Sequence, residues 1–451
     1  MIEIKSIHSN DAKSRRVLGP YLRHLACIGM SIGMQYALLL ESSYASELKP
    51  QSEGFWRHDG GTKADKRTTI QSKTPSKTGN DGLQKSEETD FEEYLNLNEQ
   101  EYRQVFRQAT QQVASQIRKL WRRPELSNQD QWVSYQANYS IRRTVDFAAN
   151  EIRITTLESN LEFQRAMRGF IKHQLMDVIG TSLRSATSSD PVLRIVRRNL
   201  KLSEPSGPET EELVLSELFL QANPSKEQVA RQAEQLFKRA YIRFRQQLAA
   251  SDSKKGPLLE NKVTYVVPLP KDRIARKARQ YSPIIHQYSE RMNVPADILF
   301  AIIHTESYFN PIARSYVPAF GLMQIVPATA GRDATRHLYK RQKILSPSYL
   351  FNPEKNVEIG SAYLNLIHFH YLKAIKKPLS RLYCTIAAYN TGTSNVAKAF
   401  ISKASMDLAA IEINKLTDEQ VLRKLISNLP QQETRDYLKK VMQRKRLYPS
   451  V

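Results

Sequence analysis

Apolar residues recur every three or four positions through most of residues 271–446, and this spacing restricts that part of the chain to packed helices. The apolar face of the first predicted helix is formed by Ile274, Tyr281, Ile285, Tyr288 and Met292. Pro295 is typical of a first helical turn, and the apolar stretch after it predicts a second helix. Further helices are predicted at residues 354–373, 382–389 and 434–446. We therefore expect an α-helical C-terminal domain over residues 263–451.

Residues 91–250 mix helical and alternating patterns, which predicts a small α+β domain. A helical pattern over residues 105–120 ends before Pro124. Alternation over residues 139–154, interrupted by a turn at residues 149–151, predicts a β-hairpin. Other expected elements are helices at residues 161–178, 211–222 and 226–250, a loop at residues 184–208, a linker at residues 251–262 and a strand at residues 263–267. The fold class is thus predicted to be mainly α.

The first 45 residues have the features of a secretion signal. Basic residues precede an apolar run at residues 25–40, which is short for a membrane span and suits the core of a signal peptide. Small residues at 43–45 predict cleavage after Ala45, and an uncleaved anchor is the alternative. Residues 46–90 are rich in Ser, Thr, Lys, Gly and Asp, which predicts a flexible tether. The expected location is the periplasm.

Charge and cysteine content narrow the classes of partner and cofactor. The formal net charge of +22 favours an anionic partner, which is a nucleic acid, a membrane surface or a cell-wall polymer. Two cysteines exclude a disulfide framework and a cysteine-based zinc site. His368 and His370 are two positions apart on a predicted helix, so their side chains point in different directions. We expect no metal and no cofactor.

Glu306 is the first candidate for chemistry. It comes in the last turn of the second apolar helix, because Asn310-Pro311 disfavours further helix. A carboxyl at that position is expected to be partly desolvated, which raises its pKa toward neutrality. That is the property required of a general acid at neutral pH.

Three further segments follow Glu306-Ser307 in order. They are Ala-Phe-Gly-Leu-Met-Gln-Ile-Val-Pro at residues 319–327, Ala-Ala-Tyr-Asn-Thr-Gly at residues 387–392 and Leu-Pro-Gln-Gln-Glu-Thr-Arg at residues 429–435. Together the segments resemble the soluble-lytic-transglycosylase (SLT) domain family, whose fold is lysozyme-like. The resemblance covers residues 296–445. Residues 135–157 and 263–270 extend it to membrane-bound members of the same family.

The resemblance implies a role for each matching residue. Glu306 corresponds to the catalytic acid, Ser315 to a contact with the acetamido group of the reacting sugar, Gln324 to a cleft-lining residue, Tyr389 and Asn390 to residues beside the reacting sugar, and Glu433 to a second cleft glutamate. Gly321 corresponds to a position of close backbone approach. One departure is Val317-Pro318-Ala319-Phe320, which stands where small residues are common in the family.

The implied activity is non-hydrolytic cleavage of peptidoglycan glycan strands, which leaves 1,6-anhydro-muramic ends. The implied partner is the cell wall, with outer-membrane association a further expectation, and secretion argues against nucleic acid. Two alternatives stay open at this point. One is a hydrolytic muramidase with the same substrate, and the other is a non-catalytic wall- or DNA-binding protein.

Overall fold

The computed structural model describes residues 99–157, 161–200, 210–246 and 262–448. The expected signal peptide and tether lie outside these ranges, as does nearly all of the expected linker at residues 251–262. Within the described ranges, the helices are all too short or too polar to cross a bilayer.

The helices and strands are numbered along the chain. The strands are β1 (Gln131–Gln136), β2 (Ile141–Asp146), β3 (Glu151–Thr156), β4 (Tyr241–Gln246) and β5 (Lys262–Pro268). The N-terminal helices are α1 (Glu99–Arg118), α2 (Leu161–Ile179), α3 (Leu183–Ser188), α4 (Pro191–Asn199) and α5 (Lys226–Phe237). The C-terminal helices are α6 (Arg273–Met292), α7 (Ala296–Ser307), α8 (Arg332–Tyr339), α9 (Pro347–Leu350), α10 (Pro353–Asn365), α11 (Pro378–Thr391), α12 (Thr393–Lys398), α13 (Met406–Lys415), α14 (Asp418–Asn428) and α15 (Gln432–Lys445).

The five strands form one antiparallel sheet in the order β1-β2-β3-β5-β4. The predicted hairpin is confirmed as β2 and β3, and Asn150 adopts the left-handed conformation in its turn with φ of 57°. The predicted strand at residues 263–267 is confirmed as β5, which pairs Val267 with Ile152 and Tyr265 with Ile154. The sheet therefore joins strands that lie more than 100 residues apart in the sequence.

The loop predicted at residues 184–208 is wrong over its first half, where α3 and α4 lie. Their N-termini are capped by Ser182, which accepts from the Ser185 N–H, and by Asp190, which accepts from the Val192 and Leu193 N–H groups. Asp190-Pro191 is a cap followed by a first-turn proline, a start signal that outweighs the polar composition of the segment.

Two predicted helices in the N-terminal domain also require correction. Residues 211–222 contain a short β-bridge between Leu213 and Ser182 and one 3₁₀ turn, Ser216–Leu218, instead of a helix. The helix predicted at residues 226–250 ends at Phe237, and β4 follows it. Pairing with β5 decides the conformation of β4, which is a tertiary contact that helical spacing cannot report.

The mainly α class and the helical C-terminal region are confirmed. The helices predicted at residues 382–389 and 434–446 correspond to α11 and α15, and the one predicted at residues 354–373 is α10 extended by a π-helical segment, Leu366–Tyr371. Helix α7 is buried on nearly every side, and α6 and α15 pack against it. An apolar helix enclosed in this way brings any polar group at its end into a dry environment.

A buried ion cluster connects the end of the N-terminal region to α6. Arg273 and Lys277 of α6 pair with Glu217 at 3.2 Å and 3.3 Å, and Lys277 also pairs with Glu212 at 2.9 Å. Arg273 and Glu217 have no exposed side-chain surface. Charges buried this deeply are stable only when paired, so the cluster couples α6 to the segment at residues 210–218.

Candidate active site

Glu306 lies in the last turn of α7, as the sequence predicts, with 8% of its surface exposed. The helix ends at Ser307, and the following residue, Tyr308, adopts the left-handed conformation with φ of 51°. Arg444 of α15 donates to the His304 carbonyl at 2.7 Å, and its guanidinium lies 4.7 Å from the centroid of the Tyr308 ring. These two contacts of Arg444 therefore bind the last turn of α7 to α15.

His304 is also held from the C-terminal end of the chain. The Tyr448 hydroxyl lies 2.9 Å from His304 Nδ1, and burial lowers the pKa of His304 to about 3. A neutral His304 is a hydrogen-bonding residue and carries no charge beside Glu306 at neutral pH. The carboxyl consequently has no cationic neighbour in its own turn.

Burial raises the pKa of Glu306 to about 8. Tyr437 of α15 partly offsets this rise, and the negative charge of Glu433 adds to it. The buried Tyr437 hydroxyl faces the carboxyl without forming a hydrogen bond of standard geometry. Because the pKa lies above neutrality, the carboxyl holds its proton at pH 7.

Tyr437 is a residue of the candidate site that the sequence prediction missed. It lies four residues after Glu433, so both side chains share one face of α15. That spacing is a signal that was present in the sequence. Its meaning depended on knowing that this face of α15 packs on α7.

Gly321 and Gln324 form the tight turn opposite α7. Gly321 has a φ of 77°, and a Cβ at this position would lie 2.2 Å from the Asn356 side chain and 2.2 Å from the Leu350 carbonyl. Asn356 accepts from the Met323 N–H at 2.8 Å, which fixes the turn. Only glycine fits there, because a side chain would be both strained and in collision.

Tyr389 reaches this turn from α11. Its hydroxyl donates to the Met323 carbonyl at 2.8 Å, and its pKa is raised by burial and by the charge of Glu306. The structure thus places Tyr389 within electrostatic range of Glu306. Gln324 is buried with a φ of 49°, and its Oε1 has no hydrogen-bond partner among the described residues. An unpaired buried acceptor of this kind is uncommon in folded proteins.

The remaining candidates make their hydrogen bonds with neighbouring segments of the chain. Ser315 is half-buried; its hydroxyl donates to the Val317 carbonyl, and it accepts from the Ala319 N–H at 3.3 Å. Asn390 accepts from the Thr434 hydroxyl at 2.7 Å, which holds the end of α11 next to exposed Glu433. Asn390 and Glu433 are therefore brought together by Thr434. Ser315 stands on the segment that leads into the Gly321 turn.

Glu306 and Glu433 are the two carboxyls of this site, and their environments differ. Glu433 lies in the first turn of α15 with its side chain in solvent, whereas Glu306 is enclosed. No group of three or more His, Cys, Asp or Glu residues with metal-binding geometry occurs in residues 99–157, 161–200, 210–246 or 262–448. The arrangement is suited to acid–base chemistry by one buried carboxyl.

Comparison with known proteins agrees with this geometry. Residues 283–411 match the family model "Transglycosylase SLT domain". Residues 98–180 match "Membrane-bound lytic murein transglycosylase C, N-terminal domain". The first match contains Glu306 and the Gly321 turn, and the second contains α1, the β-hairpin and all of α2.

Curated relatives carry the name membrane-bound lytic murein transglycosylase C. The Histophilus somni protein is 41% identical over 189 residues, which cover 42% of this chain and 51% of the relative. The Actinobacillus succinogenes protein is 41% identical over 175 residues, covering 39% of this chain and 48% of the relative. The matched part of the chain thus spans about half the length of these relatives.

Solved structures give a weaker likeness. The 70 kDa soluble lytic transglycosylase of Escherichia coli is 17% identical with a TM-score of 0.31, over 64% of this chain and 44% of that one. An inactive mutant of lytic transglycosylase Slt from Pseudomonas aeruginosa is 17% identical with a TM-score of 0.28, over 61% and 42%.

The two family models fall on different parts of the chain, and the curated relatives carry the same name as the N-terminal model. The chain is therefore similar to the transglycosylase SLT domain over residues 283–411 and to membrane-bound lytic murein transglycosylase C over its N-terminal domain and the relatives' matched half.

Proposed function

We propose that this protein is a peptidoglycan lytic transglycosylase that cleaves the β-1,4 bond between N-acetylmuramic acid and N-acetylglucosamine, with Glu306 as its single general acid and base. The observation that carries the proposal is the buried Glu306 carboxyl, with a pKa of about 8, inside an SLT domain. A carboxylic acid that remains protonated at neutral pH can donate to a departing glycosidic oxygen.

The reaction requires two proton transfers. Glu306 first gives its proton to the glycosidic oxygen as the bond to the muramic anomeric carbon breaks, and the acetamido oxygen of the same sugar attacks that carbon. The Glu306 carboxylate then removes the proton of the sugar's 6-hydroxyl, whose oxygen displaces the acetamido oxygen and closes a 1,6-anhydro ring. No water is consumed, and Glu306 regains its proton at the end.

Most glycosidases use two carboxyl groups, of which one is the acid and the other the nucleophile or base. Here Glu433 is solvent-exposed, and it acts on Glu306 through its charge. An acetamido group held next to the anomeric carbon can replace the second carboxylate, since intramolecular attack lowers the barrier by several kcal/mol. We assign Ser315 and Tyr389 to orienting that group, and Gln324, Asn390 and Glu433 to binding the sugars.

Analysis of digestion products tests the reaction type. The purified protein is incubated with peptidoglycan sacculi, and the muropeptides are separated and weighed by mass spectrometry. We expect products that end in 1,6-anhydro-N-acetylmuramic acid and are lighter by one water than hydrolysis products. Reducing, hydrated ends alone would make the enzyme a muramidase. The absence of any cleavage would favour a non-catalytic wall-binding protein.

We further propose that the protein works in the periplasm, attached to the cell wall or to the outer membrane, without a nucleic acid partner. The support is the apolar run at residues 25–40 and the membrane-bound description of the relatives. N-terminal sequencing of the exported protein tests this. We expect a mature chain that begins after Ala45, and an intact Met1 in the cytosol would contradict both the export and the wall substrate.

A further inference from the structure

A groove of about 400 Å³ lies between β1 and the N-terminal turn of α4, apart from the residues assigned to the Glu306 site. Strand β1 contributes Trp132 and Tyr135, and the following turn contributes Tyr139. Arg143, Arg194 and Arg314 provide three guanidinium groups. Such a mixture of aromatic faces and cations is suited to an elongated ligand that carries carboxylates.

The positive charge of this groove is only partly neutralised. Asp190 is the one acidic residue in its lining, and its carboxylate is already bound by Arg314 at 2.9 Å and by two N–H groups of α4. Arg143 lies 3.5 Å from Asp177, and its side chain is only 10% exposed. Arg194 is exposed and makes no ion pair with another residue of the described ranges. The positive charge of Arg194 is therefore available to bind an anionic ligand in the groove.

Arg314 connects the groove to the sugar site. It is held on the groove side by the Asp190 carboxylate, the Ser127 carbonyl at 3.3 Å and a backbone hydrogen bond to Asn128. The next residue is Ser315, which we assign to the acetamido group of the reacting sugar. Consecutive α-carbons are about 3.8 Å apart, so the groove begins within one residue of the muramic acid position.

The chemistry of muramic acid connects the groove with the position of Ser315. Its acetamido group and its lactyl ether are attached to neighbouring ring carbons, and the lactyl group carries a peptide with several free carboxylates. A muramic residue whose acetamido group meets Ser315 must therefore direct its peptide along the same wall. We propose that the groove binds this acidic peptide and that Arg194 donates hydrogen bonds to one of its carboxylates.

The dimensions agree with this occupant. An extended peptide of four residues is about 14 Å long, and a six-residue strand such as β1 is about 20 Å long. The peptide can therefore lie along β1 from Arg314 to the Tyr139 turn. This assignment deepens the proposed function and rests on it, since it takes the muramic acid position from Ser315.

A binding experiment tests the assignment without requiring catalysis. The full-length Glu306→Gln protein is titrated with a GlcNAc-MurNAc-tetrapeptide and with the same disaccharide whose lactyl carboxyl is blocked as a methyl amide. We expect tighter binding of the tetrapeptide ligand. Arg194→Gln in the same background should reduce that preference about tenfold, the effect of losing one charge-assisted hydrogen bond.

Arg198→Gln is the matched control, because Arg198 is exposed on the same helix and does not line the groove. It should leave the preference for the tetrapeptide unchanged. Equal affinity for the two ligands would overturn the assignment. So would an equal loss in Arg194→Gln and Arg198→Gln, which would indicate general attraction to a basic surface.

A parallel activity measurement separates this inference from the proposed function. The ratio of kcat/KM for intact glycan to kcat/KM for glycan stripped of its peptides should fall about tenfold in Arg194→Gln and stay constant in Arg198→Gln. A constant ratio in Arg194→Gln refutes the peptide groove while leaving the enzyme assignment intact. A wild-type protein that cleaves neither glycan refutes the proposed function. The groove assignment is then decided by the binding experiment alone.

Discussion

Glu306 is 8% exposed, and Tyr389 and Tyr437 both lie within range of its charge. Burial is the largest influence on its pKa and raises it, Tyr437 lowers the pKa in part, and the charge of Glu433 raises it further. At the scale of single residues, the proposed chemistry therefore depends on exclusion of water from one carboxyl.

Replacement of that carboxyl by an amide tests its role directly. We expect Glu306→Gln to fold normally and to lose about 10²- to 10⁴-fold in cleavage rate, because an amide cannot donate the required proton. Turnover of purified sacculi is the measurement, and Glu433→Gln is the comparison. A greater loss in Glu433→Gln than in Glu306→Gln would transfer the acid role to Glu433.

The pH dependence of activity follows from the same pKa. Since the protonated form is the active acid, kcat/KM should fall as pH rises through about 8. Tyr437→Phe removes a group that lowers the pKa of Glu306, so the falling limb should move to higher pH. A pH–rate profile of both proteins measures this, and a limb that stays in place in Tyr437→Phe would contradict the role given to Tyr437.

Burial of Glu306 also makes stability depend on pH. Its folded pKa of about 8 lies above the ordinary value of 4.5, so the folded state binds the proton more tightly than the unfolded state. The stabilisation of the folded state by this proton is complete below about pH 4.5, and it is lost as pH rises to about 8. Relative to wild type, Glu306→Gln should therefore gain several kcal/mol in unfolding free energy between pH 5 and pH 8. Urea unfolding at the two pH values measures it, and an equal difference at both would show that the carboxyl is solvated.

At the scale of elements, the turn at Gly321 packs against α10. Asn356 of α10 donates to the Phe320 and Leu350 carbonyls and accepts from the Met323 N–H. A side chain at Gly321 would enter the space of this amide. The same turn receives the Tyr389 hydroxyl, so its position governs the geometry beside Glu306.

Gly321→Ala should destabilise the protein by about 3 kcal/mol or more, through its positive φ and the collision with Asn356 and Leu350. Gly169→Ala is the matched control, because Gly169 lies in α2 and its Cβ would meet no atom within 4 Å. That change should be neutral or stabilising by up to about 1 kcal/mol. Denaturant unfolding compares them, and similar midpoints would disprove the close packing of the turn.

At the scale of the whole molecule, two buried or largely buried ionic contacts are among those that couple the N-terminal region to the C-terminal half. One is the buried cluster of Arg273, Lys277 and Glu217, and the other is the pair of Arg314 with Asp190. Strand β5 reinforces them, since it completes the sheet and leads within a few residues into α6. The predicted boundary between the two domains, at residues 250–263, stays a prediction. The ion pairs and strand β5 make contacts across this boundary.

Glu217→Ala should cost about 3–5 kcal/mol of unfolding free energy, because it leaves buried Arg273 unpaired and Lys277 with Glu212 alone. Glu211→Ala, which removes an exposed pair with Arg184, should cost less than about 1 kcal/mol. Thermal and denaturant unfolding of the two variants measures the difference. Equal effects would show that the buried cluster does not hold the two parts together.

The sequence by itself determined the features that depend on neighbours a few residues apart. Helical spacing located α6, α7, α11 and α15, and alternation with a turn located the β2–β3 hairpin. Asn310-Pro311 placed Glu306 at a helix end, and the order of the motifs indicated the resemblance to the SLT domain. These signals are local, because caps, turns and amphipathic faces act over one or two turns of chain.

Tertiary structure alone decided what depends on remote contacts. Pairing with β5 made a strand of residues 241–246, for which the local pattern had favoured a helix. The packing of α15 on α7 brought Tyr437 to Glu306 across 131 positions and supplied the burial that raises its pKa to about 8. Burial and strand pairing are sums over residues distant in sequence, so no short window of the chain contains them.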